Sequence, residues 1–316
     1  MQKILVTGAT GQIGTALVPA LRERYGPANV VAAGHSAKPA PALLSGPYVS
    51  LDILDRAQLS KIVKEHNIDT IFHLAALLSA KAETQPEPAW EINVNGLRHV
   101  LETARAAGCA VFHPSSIGAF GPSTPADLTP QVTIQRPTTL YGVAKVTGEL
   151  LCDYYFTRYG VDTRGVRFPG LISYEARPGG GTTDYAVDIF YAALKEKHYT
   201  CFLAPGTYLD MMYMDDAIRA AIMVMEADPA KLIDRNAFNV TAMSFAPEEL
   251  AAEIVKHLPG FTMDYQVDPL RQAIADSWPN RLDDSAARQQ WGWQPQYDLA
   301  SMTKEMLERL GEKLDV

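Results

Sequence analysis

Short runs of apolar residues alternate along the chain with longer stretches in which apolar residues recur every three or four positions. The runs are typical of buried parallel strands, and the longer stretches are typical of amphipathic helices. Strands are predicted at residues 4–6, 30–33, 48–51, 69–76 and 110–114, and helices around 13–24, 59–63 and 90–104. Because strands and helices alternate with crossovers of this length, we expect a doubly wound parallel α/β sheet with helices on both faces.

A glycine-rich turn follows the first predicted strand. Gly8, Gly11 and Gly14 have the spacing G-x-x-G-x-x-G between this strand and the first helix. The order strand, turn, helix directs free N–H groups and the positive end of the helix toward a pyrophosphate. A purely structural turn is the alternative. The flanking strand and helix favour dinucleotide binding in a Rossmann-type sheet.

The end of the second strand carries no acidic residue. An acid at this place usually holds the ribose hydroxyls of a nicotinamide cofactor, whereas residues 34–38 read Gly-His-Ser-Ala-Lys. Either backbone and polar groups hold the ribose, or His35 and Lys38 accept a 2′-phosphate. A solvated loop without a role is the third interpretation. This segment alone therefore leaves NAD and NADP open.

Two later motifs carry acid–base chemistry. Ser115 and Ser116 come just after the fifth strand, where ligands of open α/β sheets bind. In a helix, Tyr141 and Lys145 share a face one turn apart. The ammonium would then lower the pKa of the phenol from about 10 toward neutrality, so that a phenolate takes a proton from an alcohol. A surface helix with an unrelated Tyr and Lys is the alternative, and the glycine turn and Ser116 count against it.

The chain beyond residue 168 predicts a smaller C-terminal α/β lobe that selects the substrate. A glycine loop at residues 177–185 presents Thr182, Thr183 and Asp184 to a small polar ligand, and Asp184 would select an ammonium. Capping of the next helix by Thr183 or Asp184 is a compatible alternative. Trp278 either walls a pocket or belongs to the core.

Further elements of this lobe follow from the same patterns. A helix is predicted from residue 209 to 224, a strand at 238–240 that returns to the main sheet, and helices from 245 and from 299. The predicted dinucleotide-binding domain is 1–168 plus about 213–242, and the predicted substrate-binding lobe is 169–212 and 243–316.

Composition restricts the class of protein. The chain has 316 residues, of which 47% are hydrophobic, and a net charge of −8, which gives no indication of a nucleic-acid or anionic membrane partner. No apolar run approaches the roughly 20 residues of a membrane span. Cys109, Cys152 and Cys201 fit neither a disulfide framework nor a metal site, so we expect a cytoplasmic protein without a bound metal. The predicted fold begins at residue 3, so we expect no cleavable targeting peptide.

Taken in order, these segments resemble the extended short-chain dehydrogenases/reductases, the superfamily of nucleotide-sugar epimerases and dehydratases. The resemblance rests on the glycine turn, Asp52 and residues 73–76, 93–96, 115–121, 141–145 and 167–170. It implies that Ser116, Tyr141 and Lys145 are catalytic. The cofactor residues that it implies are Gly8, Gly11, Gln12, Ile13, Gly14, Asp52, Ile53, Leu74, Ala75, Ala76, Asn93, Tyr141, Lys145 and Pro169.

A narrower resemblance is to the short-chain type of L-threonine 3-dehydrogenase. That family oxidises the side-chain alcohol of threonine with NAD and gives 2-amino-3-oxobutyrate. The resemblance rests on the glycine loop with Tyr185, on Ser-Trp-Pro at 277–279 and on residues 77–81. It implies NAD, L-threonine as substrate, and a homodimer formed through the helices around 90–107 and 147–159. The implied substrate residues are Ser79, Ser115, Ser116, Tyr141, Thr183, Asp184 and Trp278.

Three features keep other interpretations open. The L-threonine 3-dehydrogenase family usually has an acid at the position of residues 34–36, and its absence from this sequence keeps NADP open as the cofactor. A nucleotide-sugar epimerase or dehydratase would use Arg281 as a partner for the diphosphate, and a redox-sensing protein would keep the cofactor fold without turnover. The apolar residues Leu150, Leu151, Tyr154 and Tyr155 fit either a dimer interface or an ordinary core.

Overall fold

A six-stranded parallel sheet forms the centre of the molecule. The computed structural model describes residues 1–175, 177 and 179–315; Ala176, Pro178 and Val316, which belong to the predicted substrate lobe, lie outside the described residues. The strands are Ile4–Thr7 (β1), Val30–Gly34 (β2), Tyr48–Ser50 (β3), Thr70–His73 (β4), Ala110–Phe112 (β5), Ser115–Ser116 (β6), Thr163–Arg164 (β7), Val166–Phe168 (β8), Gly170–Ile172 (β9), His198–Cys201 (β10), Leu209–Tyr213 (β11), Phe238–Asn239 (β12), Met243–Phe245 (β13) and Thr262–Tyr265 (β14). The α-helices are Gln12–Tyr25 (α1), Arg56–Glu65 (α2), Ser79–Thr84 (α3), Pro86–Trp90 (α4), Leu97–Ala107 (α5), Leu140–Tyr159 (α6), Tyr185–Glu196 (α7), Met214–Glu226 (α8), Pro247–His257 (α9), Pro269–Ala275 (α10), Ser285–Trp291 (α11) and Leu299–Leu314 (α12). The strand order is β3–β2–β1–β4–β5–β7, which confirms the predicted Rossmann-type fold.

Different helices cover the two faces of this sheet. Ile4 and Val6 belong to the core that contains residues of α1 and α8. Leu5 and its neighbour Val31 belong to the core that contains residues of α2 and α5. Successive side chains of a strand point to opposite faces, so a strand covered on both faces is apolar throughout. This explains the uninterrupted apolar runs in the sequence.

A separate hydrophobic core lies in the C-terminal part of the chain. It is built mainly from α7, α9, α12 and the strands β11 and β13, and Ile117 and Phe120 join it from the segment after β6. Two small sheets support it, with the orders β13–β11–β9 and β10–β14. The domain limits given above stay a prediction.

Two predictions for this region are wrong in part. Leu209–Tyr213 is a strand, and the predicted helix begins only at Met214. All five residues of this strand are buried, and a fully buried strand shows no alternation by which to tell it from a buried helix. Phe238–Asn239 is a strand as predicted, but it pairs with β8 in the three-stranded sheet β12–β8–β6 and not in the six-stranded sheet.

The helix predicted around residues 90–104 has an irregular start. Residues Glu91–Gly96 form a π-helical segment, and α5 follows it directly. The extra width of a π-turn is common beside functional sites. Here the Cβ of a side chain at Gly96 would lie 3.1 Å from Cγ2 of Ile53, so the segment packs closely on residues predicted to contact the cofactor.

A buried carboxyl group connects three segments that are distant in sequence, beside the hydrophobic core of the C-terminal part of the chain. Asp210 of β11 is fully buried; it accepts hydrogen bonds from Thr241 Oγ1 at 2.6 Å and from the N–H of Leu282 at 2.7 Å. Burial raises the pKa of Asp210 to about 8, and the two hydrogen bonds only partly oppose this shift. The folded protein therefore holds a proton on Asp210 over a pH range in which the unfolded chain has lost it.

We predict a pH-dependent difference between the wild type and Asp210→Asn. The pKa of Asp210 is higher in the folded state than the value of about 4 in the unfolded chain. This group's contribution to the free energy of unfolding is therefore largest below pH 4 and falls between about pH 4 and pH 8, by about 1 kcal/mol or slightly more per pH unit. Urea unfolding of both proteins across this range measures the effect. Curves that stay parallel would contradict it.

Candidate active site

The glycine turn forms a tight cradle between β1 and α1. Gly8 has φ +69°, and a Cβ on it would lie 2.6 Å from the backbone nitrogen of Ala75. A Cβ on Gly14 would lie 2.6 Å from Cα of Ala9. Gly11 precedes α1 and gives its first N–H groups no side-chain cap. The turn therefore offers uncapped helical N–H groups at a place where only glycine fits, which suits a pyrophosphate.

Two cavities meet at this turn. The first has a volume of about 220 Å³, and the second, on the side of β2 and β3, has about 250 Å³. Predicted site residues that line the first are Gly8, Gly11, Gln12, Ile13, Gly14, Leu74, Ala76, Ser79, Ser115, Ser116, Tyr141, Lys145, Pro169, Thr183, Asp184 and Trp278. Predicted site residues that line the second are Gly8, Gly11, Asp52, Ile53, Leu74, Ala75 and Ala76. Of the predicted site residues, Asn93 alone lines neither cavity.

The side-chain amide of Asn93 makes hydrogen bonds to the backbone beside the first cavity. Its Oδ1 accepts from the N–H of Leu77 at 2.8 Å, and its Nδ2 donates to the carbonyl of Leu77 at 3.0 Å. Both polar ends of the side chain are thus used to fix the segment after β4. The structure therefore places Asn93 behind this segment, where it shapes the cavity wall from outside.

The predicted catalytic groups converge in the first cavity. Tyr141 and Lys145 lie on α6, as predicted, and Ser116 ends β6. The Nζ of Lys145 lies 5.4 Å from the centre of the Tyr141 ring and donates to the carbonyl of Pro114 at 2.7 Å. Ser116 Oγ accepts from the N–H of Gly118 at 3.1 Å. A hydroxyl, a phenol and an amine therefore face one small space.

Burial controls the acid–base properties of this pair. It raises the pKa of Tyr141 to about 12, although a hydrogen bond with Ser116 favours the phenolate. It lowers the pKa of Lys145 to about 8. The prediction that Lys145 draws the phenol toward neutrality is therefore wrong for this geometry, because desolvation of the phenolate outweighs the stabilising contacts.

The hydroxyl of Ser115 is directed away from the substrate space. Ser115 lines the cavity, but its Oγ donates to Glu149 Oε1, so the predicted substrate contact has a competing partner inside the protein. Ser116, its neighbour on β6, projects to the opposite side of the strand. The alternation of the strand thus separates a hydroxyl that faces the phenol from one that faces the interior.

The glycine loop before α7 forms the far wall of the first cavity. Asp184 accepts from the N–H groups of Gly180 at 2.8 Å and Gly181 at 2.6 Å, and its side chain makes no capping hydrogen bond to α7. Burial raises the pKa of Asp184, opposed by these two N–H groups. The Oγ1 of Thr182 is buried without a hydrogen-bond partner. Thr182 lines the cavity, and the sequence pattern pointed to it only as one of three polar residues in the loop.

An acid reaches the adenosine side from a neighbouring strand. Parallel pairing sets Gly34 of β2 opposite Ser50 of β3, and Asp52 follows two residues later. Its Oδ2 lies 3.9 Å from Nε2 of His35, and both residues line the second cavity. The end of β2 carries no carboxylate, but Asp52, two residues after the end of β3, supplies one at the same edge of the sheet.

Two histidines behind Lys145 were not predicted as site residues. The rings of His73 and His113 are stacked with centres 5.7 Å apart, and Nδ1 of His73 lies 2.8 Å from Thr7 Oγ1. Burial lowers the pKa of His73 to about 3 and that of His113 well below its usual value, with Lys145 adding to both shifts. Both rings are therefore neutral near pH 7.

The described residues show no cluster of metal-ligating side chains. Over the same part of the chain, no helix combines the length and the apolar character needed to cross a membrane.

Comparison with known proteins identifies the class. The profile of the NAD dependent epimerase/dehydratase family matches residues 4–240. An uncharacterized epimerase/dehydratase of Staphylococcus haemolyticus is 56% identical over 314 residues, which is 99% of each chain. The L-threonine dehydrogenase from Clostridium difficile is 56% identical with a TM-score of 0.97, over 99% of this chain and 98% of that chain. The holo form of the GalE-like L-threonine dehydrogenase from Cupriavidus necator is 50% identical with a TM-score of 0.95, over 98% and 99%.

The protein therefore belongs to the NAD-dependent epimerase/dehydratase family, within the extended short-chain dehydrogenases/reductases. Its cofactor is NAD, as predicted, and its chemistry is that of an NAD-dependent oxidoreductase. The geometry agrees with this cofactor, because the uncapped start of α1 lies between a cavity at the catalytic groups and a cavity at Asp52.

We predict that Gly8→Ala weakens NAD binding by about tenfold or more, because the added Cβ would displace the backbone at Ala75, 2.6 Å away. Gly160→Ala is the matched control, since Gly160 has the same φ of +69° with nothing within 4 Å of its added Cβ. It carries the conformational strain alone. Calorimetric titration with NAD measures both, and equal affinities for the two variants would contradict the assignment of the turn.

Proposed function

We propose that the protein oxidises the side-chain hydroxyl of L-threonine to 2-amino-3-oxobutyrate with NAD. The single observation that carries this proposal is that one cavity joins the glycine turn, the group Ser116, Tyr141 and Lys145, and the loop residues Thr183 and Asp184. The L-threonine dehydrogenases that resemble this chain over nearly its whole length support it.

The catalytic side chains have distinct parts in this reaction. Tyr141 accepts the proton of the substrate hydroxyl, and Ser116 Oγ holds the same oxygen by a hydrogen bond. Because burial holds the phenol protonated, this transfer would need both the ammonium of Lys145 and the positive charge of oxidised NAD to favour the phenolate. When bound in its oxidised form, NAD would supply the hydride acceptor for C3 of the substrate and a positive charge on its nicotinamide ring. The burial that raises the pKa of Tyr141 also excludes water from the reacting atoms.

The polar groups of the cavity suit a small zwitterion. Asp184 has two N–H partners, and because a carboxylate offers about four acceptor positions, it can still receive an ammonium. The hydroxyls of Ser79 and Thr183 suit the substrate carboxylate, and Trp278 gives an apolar surface for the methyl group. All four residues line the cavity.

A nucleotide-sugar substrate fits this cavity poorly. A diphosphate needs cationic partners, and among the described residues that line the cavity Lys145 is the only cation. Arg281, considered above for this role, is not among them and is exposed.

We also propose that the protein is a cytoplasmic homodimer. Val143, Leu150 and Tyr154 recur at helical spacing on α6 and are exposed by 40%, 62% and 51%, an apolar stripe that a second copy would cover. Tyr155 belongs to the interior instead, where its hydroxyl donates to Glu102 at 2.6 Å. The three cysteines are buried and free, which agrees with a reducing compartment.

A turnover assay with NAD tests the substrate. We expect oxidation of L-threonine to exceed that of L-serine by about tenfold or more in kcat/KM, because serine lacks the methyl group that the apolar wall would contact. UDP-glucose serves as the competing substrate. Turnover of UDP-glucose without oxidation of L-threonine would replace this proposal by epimerase or dehydratase activity.

Tyr141→Phe tests the base. We predict that it lowers kcat by far more than the tenfold that corresponds to about 1.4 kcal/mol, while the affinity for NAD changes little. Tyr155→Phe is the matched control, because it removes a hydroxyl from the same helix outside the cavity. Stopped-flow measurement of NADH formation compares the two, and a Tyr141→Phe variant with a tenth of the wild-type kcat or more would exclude Tyr141 as the base.

A further inference from the structure

Glu149 is a buried carboxylate behind the catalytic groups, and the reaction above gives it no part. It lies on α6, one turn after Lys145 and two turns after Tyr141, and is only 4% exposed. Arg167 of β8 binds both of its oxygens: Nε donates to Oε1 at 2.9 Å and Nη2 donates to Oε2 at 2.8 Å. Gln135 Nε2 donates to Oε2 at 2.8 Å. This geometry fixes the direction of the carboxylate.

The same carboxylate holds the strand that carries Ser116. Ser115 Oγ donates to Glu149 Oε1, and Ser115 precedes Ser116 on β6. The strands β6 and β8 pair in parallel with Ser115 opposite Arg167. Glu149 thus connects α6, which carries Tyr141 and Lys145, to the two strands that place the serine hydroxyl.

The charge of Glu149 also acts on Lys145, which lies one helical turn earlier on α6. Four titratable groups besides Glu149 are close enough to Lys145 to influence its charge or to be influenced by it: His73 of β4, His113 after β5, and Cys152 and Tyr141 of α6. Burial lowers the pKa of both histidines and raises the pKa of the thiol and the phenol, so all four are neutral near pH 7. Glu149 is therefore the anion among these groups, and it raises the pKa of Lys145 against the effect of burial, although Arg167 balances part of its charge.

We propose that Glu149 is a positioning residue of the catalytic centre, which sets Ser116 against Tyr141 through Ser115 and keeps Lys145 in its ammonium form. Its effect on rate rests on the proposed function, whereas its effect on Lys145 does not. The competing interpretation is a buried ion pair that only stabilises the fold, which such pairs do to very different extents.

The charge is tested with Glu149→Gln, which keeps the shape of the side chain. Competitive labelling of Lys145 with acetic anhydride from about pH 6 to about pH 10, followed by mass spectrometry, gives the pKa of Lys145 without any substrate. We expect this pKa to fall by about one unit and the kcat for L-threonine to fall by about tenfold with KM within about twofold.

Asp162→Asn is the control for the loss of a carboxylate that pairs with buried arginines, here Arg164 and Arg235. Asp162 binds Arg164 through two hydrogen bonds of 2.9 and 2.8 Å, and Arg164 is 5% exposed. Asp162 lines a different cavity from the catalytic groups. We expect this variant to lower the melting temperature and to leave the pKa of Lys145 and kcat unchanged. If Glu149→Gln gives the same result, Glu149 is a stabilising ion pair only and the proposal is wrong.

The positioning is tested with two variants that keep the charge. Ser115→Ala removes the anchor of β6, and Glu149→Asp shortens the carboxylate so that it no longer reaches Ser115. In both we expect a fall in kcat of about threefold to tenfold with an unchanged KM and an unchanged pKa of Lys145. Both variants keep the negative charge of residue 149, and Ser115→Ala also keeps its contacts with Arg167, so they test the proposal even where Glu149→Gln does not fold. A rise in KM at constant kcat in Ser115→Ala would mark Ser115 as a substrate contact and overturn the positioning. If the wild type oxidises no threonine, the proposed function fails while the titration of Lys145 still decides the part of Glu149.

Discussion

The close approach of two backbone segments at Gly8 is the constraint on which the site depends. A Cβ at this residue would lie 2.6 Å from the nitrogen of Ala75, so the turn after β1 and the segment after β4 lie in direct contact. Because β1 and β4 are parallel neighbours, their carboxyl ends reach the same edge of the sheet. The amide of Asn93 then fixes the β4 segment from behind through Leu77. The cofactor cradle is thus made mainly by main-chain packing, which the side-chain amide of Asn93 supports from behind.

Electrostatic properties of the catalytic centre arise from burial more than from neighbouring charges. His73 and His113 are kept neutral close to Lys145, and Tyr141 is kept neutral in the same cavity. In such surroundings a single carboxylate has a large effect, because the interior screens its field weakly. The ion pair with Arg167 fixes the direction of this carboxylate, and Asp184 holds the glycine loop that lines the cavity.

Local patterns in the sequence predicted the parts of the site that are local in the fold. The glycine turn and the pair Tyr141 and Lys145 each lie within one turn or helix, so spacing alone was sufficient. The sequence did not reveal the direction of Ser115 or the task of Asn93, because each depends on a partner from another element. The strand β11 was predicted as a helix because burial on both faces removes the alternation that marks a strand. The pKa of Tyr141 was misjudged because desolvation is not visible in spacing.

The first cavity is lined by residues from Gly8 near the start of the chain to Trp278 close to its end. The wall that contains Trp278 can form only after that residue has been synthesised, long after the glycine turn. Contacts between residues so far apart also slow folding, since long loops must close before the contacts stabilise them. During that interval the apolar walls of the cavity are open to water. Until these contacts form, association with other chains competes with folding.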